Sequence, residues 1–204
     1  LLAGRAIIGI GVSGALMADA HVGYGLPIGG VLATDDAVIP YGVGVDIACR
    51  MMLTVFDVPS AVIDAGRHLF RAAIESHTRF GVGAEWREPR DHAVMDEDWN
   101  LSPVTRQVRD KAHRQLGTFG SGNHFVEIVE LTVDRESFGV PPGSYAALLS
   151  HSGSRGAGAA VADYYTRVAK RLHPELHGHA ANLAWLPMGG DGAEYRAAME
   201  LMGK

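Results

Sequence analysis

The sequence predicts an α+β fold, and three observations carry that expectation. Short apolar runs bounded by glycine, proline and aspartate fill the first quarter of the chain, stretches with helical periodicity follow, and no repeat or low-complexity linker intervenes. Ala6–Ile10, Gly30–Ala33 and Ala37–Pro40 are too short and too often broken to be helices, so they read as strands and tight loops. Met51–Phe56 continues as another strand, closed by Asp57, Val58 and Pro59.

From Ser60 the texture changes. Val62, Ile63, Ala65, Leu69, Ala73 and Ile74 recur near the helical period, which predicts a helix from Ala61 to His77 with Ser60 as its N-cap. Phe80 to Asn100 is polar and irregular, with Trp86 and Trp99 as the expected anchors. Ser102-Pro103 opens a basic helix that ends near Leu116-Gly117, and Phe125–Leu131 and Tyr145–Ser150 read as strands. The turn Gly153-Ser154-Arg155-Gly156 starts a helix over Ala157–Leu172, stopped near His173-Pro174, and a last helix begins around Gly192.

At 204 residues, with 47% hydrophobic and 20% charged side chains, the chain can bury a real core, and one domain over residues 1–204 is the default. No apolar run of about 18 residues occurs and the opening Leu1-Leu2-Ala3-Gly4-Arg5 is not a signal peptide, so a cytoplasmic protein with no membrane partner is expected. The chain starts without methionine and stops inside the helical pattern Glu194–Met202, which suggests a fragment truncated at its C-terminus. A net charge of −5 gives no global sign of nucleic-acid binding. Any such attraction must come from local basic runs, of which Arg106–Arg114 and Arg167–Arg171 are the two visible ones, each equally readable as a solvated helix face.

Two nucleotide-binding patterns are excluded. Gly9-Ile10-Gly11-Val12-Ser13-Gly14 fits a dinucleotide fingerprint with Asp35 as the distant acid, but Gly23, Gly25 and Pro27 break the helix that must follow it. No G-x-x-x-x-G-K-[ST] motif occurs.

The chemistry concentrates in four residues. Asp46 and Cys49, the only cysteine, lie three apart in Tyr41-Gly42-Val43-Gly44-Val45-Asp46-Ile47-Ala48-Cys49-Arg50, where a turn can aim a carboxylate and a thiol at one point and Arg50 can favour the thiolate. The alternative for Cys49 is a small buried hydrophobe. His124 and His151 each sit at an element boundary after a glycine-rich or apolar stretch, where either could equally be structural. Together the acid, thiol and imidazoles form a transition-metal set, for which ligand identity alone makes zinc the first choice. Ser152–Gly156, leading into a helix, can form an anion nest, with Arg155 adding a fork suited to phosphate oxygens.

Four blocks then carry a family resemblance. Asp19-Ala20-His21-Val22-Gly23-Tyr24-Gly25-Leu26-Pro27-Ile28-Gly29-Gly30-Val31, Gly44–Cys49, Leu116–Glu127 and His151–Gly156 stand in the order of the signature blocks of the RtcB RNA-splicing ligases, and the chain resembles the N-terminal and central part of that family. Residues 60–115 match only loosely. The resemblance implies mixed β-sheets with surrounding helices and a site for two manganese ions. By position, Cys49 would bridge the ions, Asp46, His124 and His151 would be further ligands, Asn123 and Glu127 would contact GTP, Asp19 would orient a nucleophilic histidine, and Arg155 would meet the RNA phosphate. The implied activity is GTP-dependent joining of an RNA 3′-phosphate or 2′,3′-cyclic phosphate end to a 5′-hydroxyl end, in tRNA splicing or RNA repair; it does not say whether an activating protein takes part. The nucleophilic histidine, a further metal histidine and a guanine-binding lysine have no match here, so the chain alone is expected to be inactive. His173, His177 and His179 lie outside any matching motif. The competing readings are a metal-dependent phosphoesterase using the same ligands to activate water, and a non-catalytic metal- and RNA-binding remnant. A GMP–protein adduct in a full-length version separates the ligase from the first, and salt-dependent RNA binding without turnover would mark the second. On a regular strand Asn123 and Glu127 would share a face that His124 does not, a conflict that a bend at Gly122 could relieve.

Overall fold

The computed structural model describes residues 9–23 and 25–204. In chain order the elements are strands β1 (Gly11–His21), β2 (Ile28–Thr34) and β3 (Ala37–Val38), the short helix α1 (Pro40–Val43), strand β4 (Arg50–Pro59), helices α2 (Val62–His77) and α3 (Pro103–Gln115), strands β5 (Phe125–Val133) and β6 (Gly143–Ser152), helix α4 (Arg155–Leu172), strand β7 (Leu186–Pro187) and helix α5 (Asp191–Met202). The described residues form three antiparallel sheets: a β1–β2 ribbon, a two-residue β3–β7 pairing, and a three-stranded sheet in the order β4-β6-β5. This is the α+β architecture that the alternating patterns predict.

The apparent dinucleotide fingerprint is strand: Gly11 to Leu16 pairs antiparallel with Gly30 to Thr34, so no helix follows the third glycine. The strand expected over Ala6–Ile10 falls largely outside the described residues, and its visible end, Gly9-Ile10, is a turn. Ser60 does not cap α2. Its backbone N–H is still bonded to Ser144 O of the neighbouring strand, at 3.0 Å, and its hydroxyl donates to Glu130 Oε1 at 2.9 Å, which leaves Ala61 at the cap position. The helix caps without a side chain because the residue before it is still held by the sheet.

The main core is helical. α3, α4 and α5 enclose Tyr165 and Tyr195, both 0% exposed and with ring centroids 5.0 Å apart, and the Tyr165 hydroxyl donates to Glu194 Oε1 at 2.5 Å, tying α4 to α5. Burial pushes both phenols well above the usual tyrosine range, so they stay neutral. Ser102 opens α3 with a capping box: its hydroxyl accepts from Thr105 N and Thr105 Oγ1 accepts from Ser102 N. Trp99 is the expected anchor of the irregular stretch, buried and donating from Nε1 to Val94 O at 3.0 Å.

Register sets the faces of the three-stranded sheet. Met51 and Phe125 both pair with His151, so Met51, Leu53, Phe125, Glu127 and His151 share one face. The opposite face presents Arg50, Met52, Ser150 and Ser152 to a cleft of about 360 Å³ closed by Leu201 and Met202 of α5. No helix among the described residues is long and apolar enough to cross a membrane.

Candidate metal centre

Three strand ends meet at one edge of this sheet because its strands are antiparallel. β4 and β5 begin where β6 ends, so Cys49, just before β4, His124, just before β5, and His151, near the end of β6, arrive together from three distant stretches of sequence. Cys49 Sγ lies 2.9 Å from His151 Nε2 and 3.7 Å from His124 Nε2, and one ligand atom from each of the three falls within 4.8 Å of the others.

Asp46 reaches the group through a turn. Cys49 N donates to Asp46 O at 3.2 Å, closing a four-residue turn whose middle residues, Ile47 and Ala48, are buried while Cys49 is exposed. The apolar centre of the turn anchors it, and its two polar ends face the histidines. Asp46 Oδ2 is 3.1 Å from His124 Nε2, and Oδ1 accepts from both Ser154 N at 2.8 Å and Ser154 Oγ at 2.9 Å.

The predicted anion nest is therefore turned inward. The carboxylate it holds is the chain's own Asp46, and Gly156 N is taken by Gln115 Oε1 at 3.0 Å. Gly153 makes the approach possible, since a Cβ there would overlap the Asp46 carboxylate. Gly120 plays the same part on the other side, where a Cβ would stand 2.6 Å from His124 Nδ1 and 2.7 Å from Arg155 Nη1. Sequence reasoning missed Ser154 and Gly120 as parts of the site, although both lie in the glycine-serine loops that it singled out.

Each imidazole has a defined orientation. His151 Nδ1 donates to Asn123 O at 2.8 Å, which fixes the tautomer and leaves the Nε2 lone pair facing Cys49. His124 Nδ1 is buried without a hydrogen-bond partner among the described residues, so its ring is held by the Nε2 side, toward Asp46 and Cys49. The strand-face conflict disappears because β5 starts only at Phe125: Gly122, at φ 75°, turns the chain so that Asn123 and His124 precede the strand.

The thiol departs from expectation. Partial desolvation beside the histidines, reinforced by the Asp46 carboxylate, pushes the Cys49 thiol up from its ordinary value although the residue as a whole is exposed, and the Arg50 charge does not reverse this. A cation that takes the thiolate must displace its proton, so uptake strengthens as pH rises. A sulfur, two imidazole nitrogens and an adjoining carboxylate brought together in this way fit a transition-metal ion.

The remaining candidates fall at varying distances from this group. Asn123 supplies its carbonyl to His151, and Glu127 stands exposed on the His151 face of the sheet. Arg155 sits at φ 54° and spends Nε on Thr118 Oγ1 at 3.0 Å and Nη2 on Gly81 O at 3.1 Å, while burial lowers its pKa and Asp46 opposes that shift. Asp19 lies near the end of β1, where its carbonyl is 2.9 Å from His21 Nδ1, and no hydrogen bond or ion pair among the described residues joins it to the cluster. His173 is engaged by Glu175 and Trp185 O, which accounts for it structurally.

A cysteine, two histidines and an aspartate gathered from separate glycine-rich motifs at a sheet edge define a candidate metalloprotein site, and comparison with known proteins places it in a family. The model of the tRNA-splicing ligase RtcB family matches residues 5–100 and 95–203, including the loosely resembling stretch 60–115, and the chain belongs to that family. It is 36% identical over 202 residues to the tRNA-splicing ligase RtcB of Archaeoglobus fulgidus, with 80% of this chain and 42% of the relative covered. It is 33% identical over 196 residues to the tRNA-splicing ligase RtcB of Aeropyrum pernix, covering 76% and 40%. It is 31% identical over 181 residues to the RNA-splicing ligase RtcB of Escherichia coli K12, covering 77% and 40%. The chain thus spans about two fifths of the length of these relatives.

Proposed function

We propose that this chain carries the metal-binding part of a cytoplasmic GTP- and manganese-dependent RNA ligase, which joins RNA ends bearing a 3′-phosphate or 2′,3′-cyclic phosphate to a 5′-hydroxyl. The observation that carries the reading is the convergence of Cys49, His124 and His151, with Asp46 against His124, from three of the four motifs that resemble the ligase family. Bound there, a manganese pair would neutralise phosphate charge and polarise the reacting oxygens.

The chain's own residues would hold and orient that pair. Cys49, Asp46, His124 and His151 would hold the ions, and Ser154 would keep the Asp46 carboxylate from rotating away. The Asn123 carbonyl would keep His151 presenting Nε2. Asn123 and Glu127 would meet GTP from the open, His151-bearing face of the sheet, Arg155 would offer Nη1 to an RNA phosphate from its place beside His124, and Asp19 would act on a nucleophilic histidine. That histidine has no counterpart among these residues, so no GMP adduct is expected when the chain is incubated with labelled GTP and manganese.

The test is nucleotide binding by the manganese-loaded chain. Glu127→Ala is expected to weaken GTP binding about tenfold or more, as loss of a charged hydrogen bond does, with the melting midpoint unchanged because Glu127 is exposed. A collapsed midpoint with GTP affinity retained per folded molecule would make Glu127 structural. Release of inorganic phosphate from a 3′-phosphate RNA end, by hydrolysis of the monoester without any need for GTP, would favour the phosphoesterase reading.

A further inference from the structure

We propose that Arg79, Arg87 and Arg90, which line one groove with Trp86, form a binding surface for the phosphate backbone of a single RNA strand. The inference rests on the reading of the chain as part of an RNA ligase.

Four of the seven lysines and arginines in the two basic runs visible in the sequence are engaged within the protein. Arg114 pairs with Glu85 at 2.9 Å, Arg109 donates to Met95 O at 3.2 Å, Arg167 pairs with Asp163, and Lys170 donates to Asn182 Oδ1 at 2.9 Å. Arg79, Arg87 and Arg90 take part in no ion pair among the described residues, and they line a common open groove of about 670 Å³ together with Trp86. Of the two carboxylates there, Glu85 is neutralised by Arg114, leaving Glu88 against three arginines.

Two of these cations, Arg79 and Arg90, are preorganised. Arg79 Cζ lies 4.2 Å and Arg90 Cζ 4.0 Å from the Trp86 ring centroid, and the ring is itself pinned by Nε1 donating to Leu116 O at 2.8 Å. Stacking occupies the face of a guanidinium and leaves its in-plane N–H donors for an anion. Arg79 gives one donor to Thr78 O, while Arg90 Nε is buried with no acceptor among the described residues. With the indole taken up by guanidiniums, the groove suits phosphates rather than a stacked base.

Backbone pairing ties the groove to the centre. Phe119 N donates to Arg79 O at 2.7 Å, Gly81 N donates to Gly120 O at 3.1 Å, and Gly120 abuts His124. Thr118, Phe119 and Gly120 are buried, so this pairing fixes where the arginine-bearing segment sits relative to the metal ligands.

The experiment measures binding of the chain to a short fluorescent single-stranded RNA by anisotropy across a salt series, with manganese content followed in parallel. Removing one arginine–phosphate pair should reduce the steepness of log affinity against log salt by about 0.7. Arg87→Gln, an exposed change, should therefore move the slope by about that amount, and the triple variant R79Q/R87Q/R90Q by about 2, with at least tenfold weaker binding at low salt. Arg167→Gln, which removes a paired surface charge, should leave the slope as in the wild type. If the triple variant melts early, Arg87→Gln decides. An unchanged slope in folded variants overturns the proposal, as does competition by free GTP or inorganic phosphate as strong as that by RNA. Manganese uptake without RNA binding by the wild type also overturns it while sparing the metal centre, whereas RNA binding that depends on the three arginines in a chain that takes up no manganese would sink the metal reading alone.

Discussion

Cys49→Ser is expected to reduce manganese affinity by about 100-fold or more, beyond the effect of disturbing a group that merely supports a ligand, while the folded chain stays intact. The sulfur lies between the two histidines, 2.9 Å from His151 Nε2 and 3.7 Å from His124 Nε2, so its loss opens the centre of the group rather than its rim. The fold should not suffer, because Cys49 is exposed and the turn that places it is anchored by buried Ile47 and Ala48. Elemental analysis after gel filtration, alongside thermal melting, reads both quantities. Wild-type manganese content in a folded Cys49→Ser chain would remove the cysteine from the ligand set.

Gly153→Ala is expected to damage stability and metal binding together. The added methyl would overlap the Asp46 carboxylate, which must then leave Ser154 N, Ser154 Oγ and its 3.1 Å approach to His124. Losing hydrogen bonds to a charged, partly buried acceptor costs about 2–3 kcal/mol, or about 5–10 °C in melting midpoint for a chain of this size. Manganese affinity should fall by about 10–100-fold as the ligand loses its support. Gly189→Ala is the matched control, because a Cβ there meets nothing within 4 Å. If the two variants melt alike and hold equal manganese, the Gly153 cradle does not position Asp46.

What the sequence makes legible is whatever is encoded locally. The helical periods read over 61–77, from Ser102-Pro103 to about 116, and over 157–172, and the turn that can bring together Asp46 and Cys49, three residues apart, all depend on near neighbours. The structure has helices at Val62–His77, Pro103–Gln115 and Arg155–Leu172 and a turn closed by Cys49 N on Asp46 O. The site's histidines are legible for a different reason, as parts of glycine-rich blocks with a family resemblance, and their convergence with Cys49 depends on strand register that no local pattern states. Long-range partners hide the rest. Ser60 reads as a cap because Glu130, seventy residues away, is invisible from its neighbourhood. The Ser152–Gly156 loop reads as a phosphate nest because Asp46, the acid that fills it, comes from over a hundred residues earlier. Adjacency alone suggests that Arg50 favours the thiolate, whereas partial desolvation and Asp46 govern the thiol. The Arg79, Trp86 and Arg90 stack has no readable period at all, since it is assembled by an irregular segment folded against Leu116 and Gly117.

That Cys49, His124, His151 and Asp46 hold a transition metal in this chain is tested most directly by X-ray absorption at the manganese edge of the loaded protein. A sulfur scatterer at bonding distance is expected, together with the outer-shell signature of imidazole and loss of the sulfur contribution in Cys49→Ser; a shell of oxygen and nitrogen alone, the same in both proteins, would contradict it.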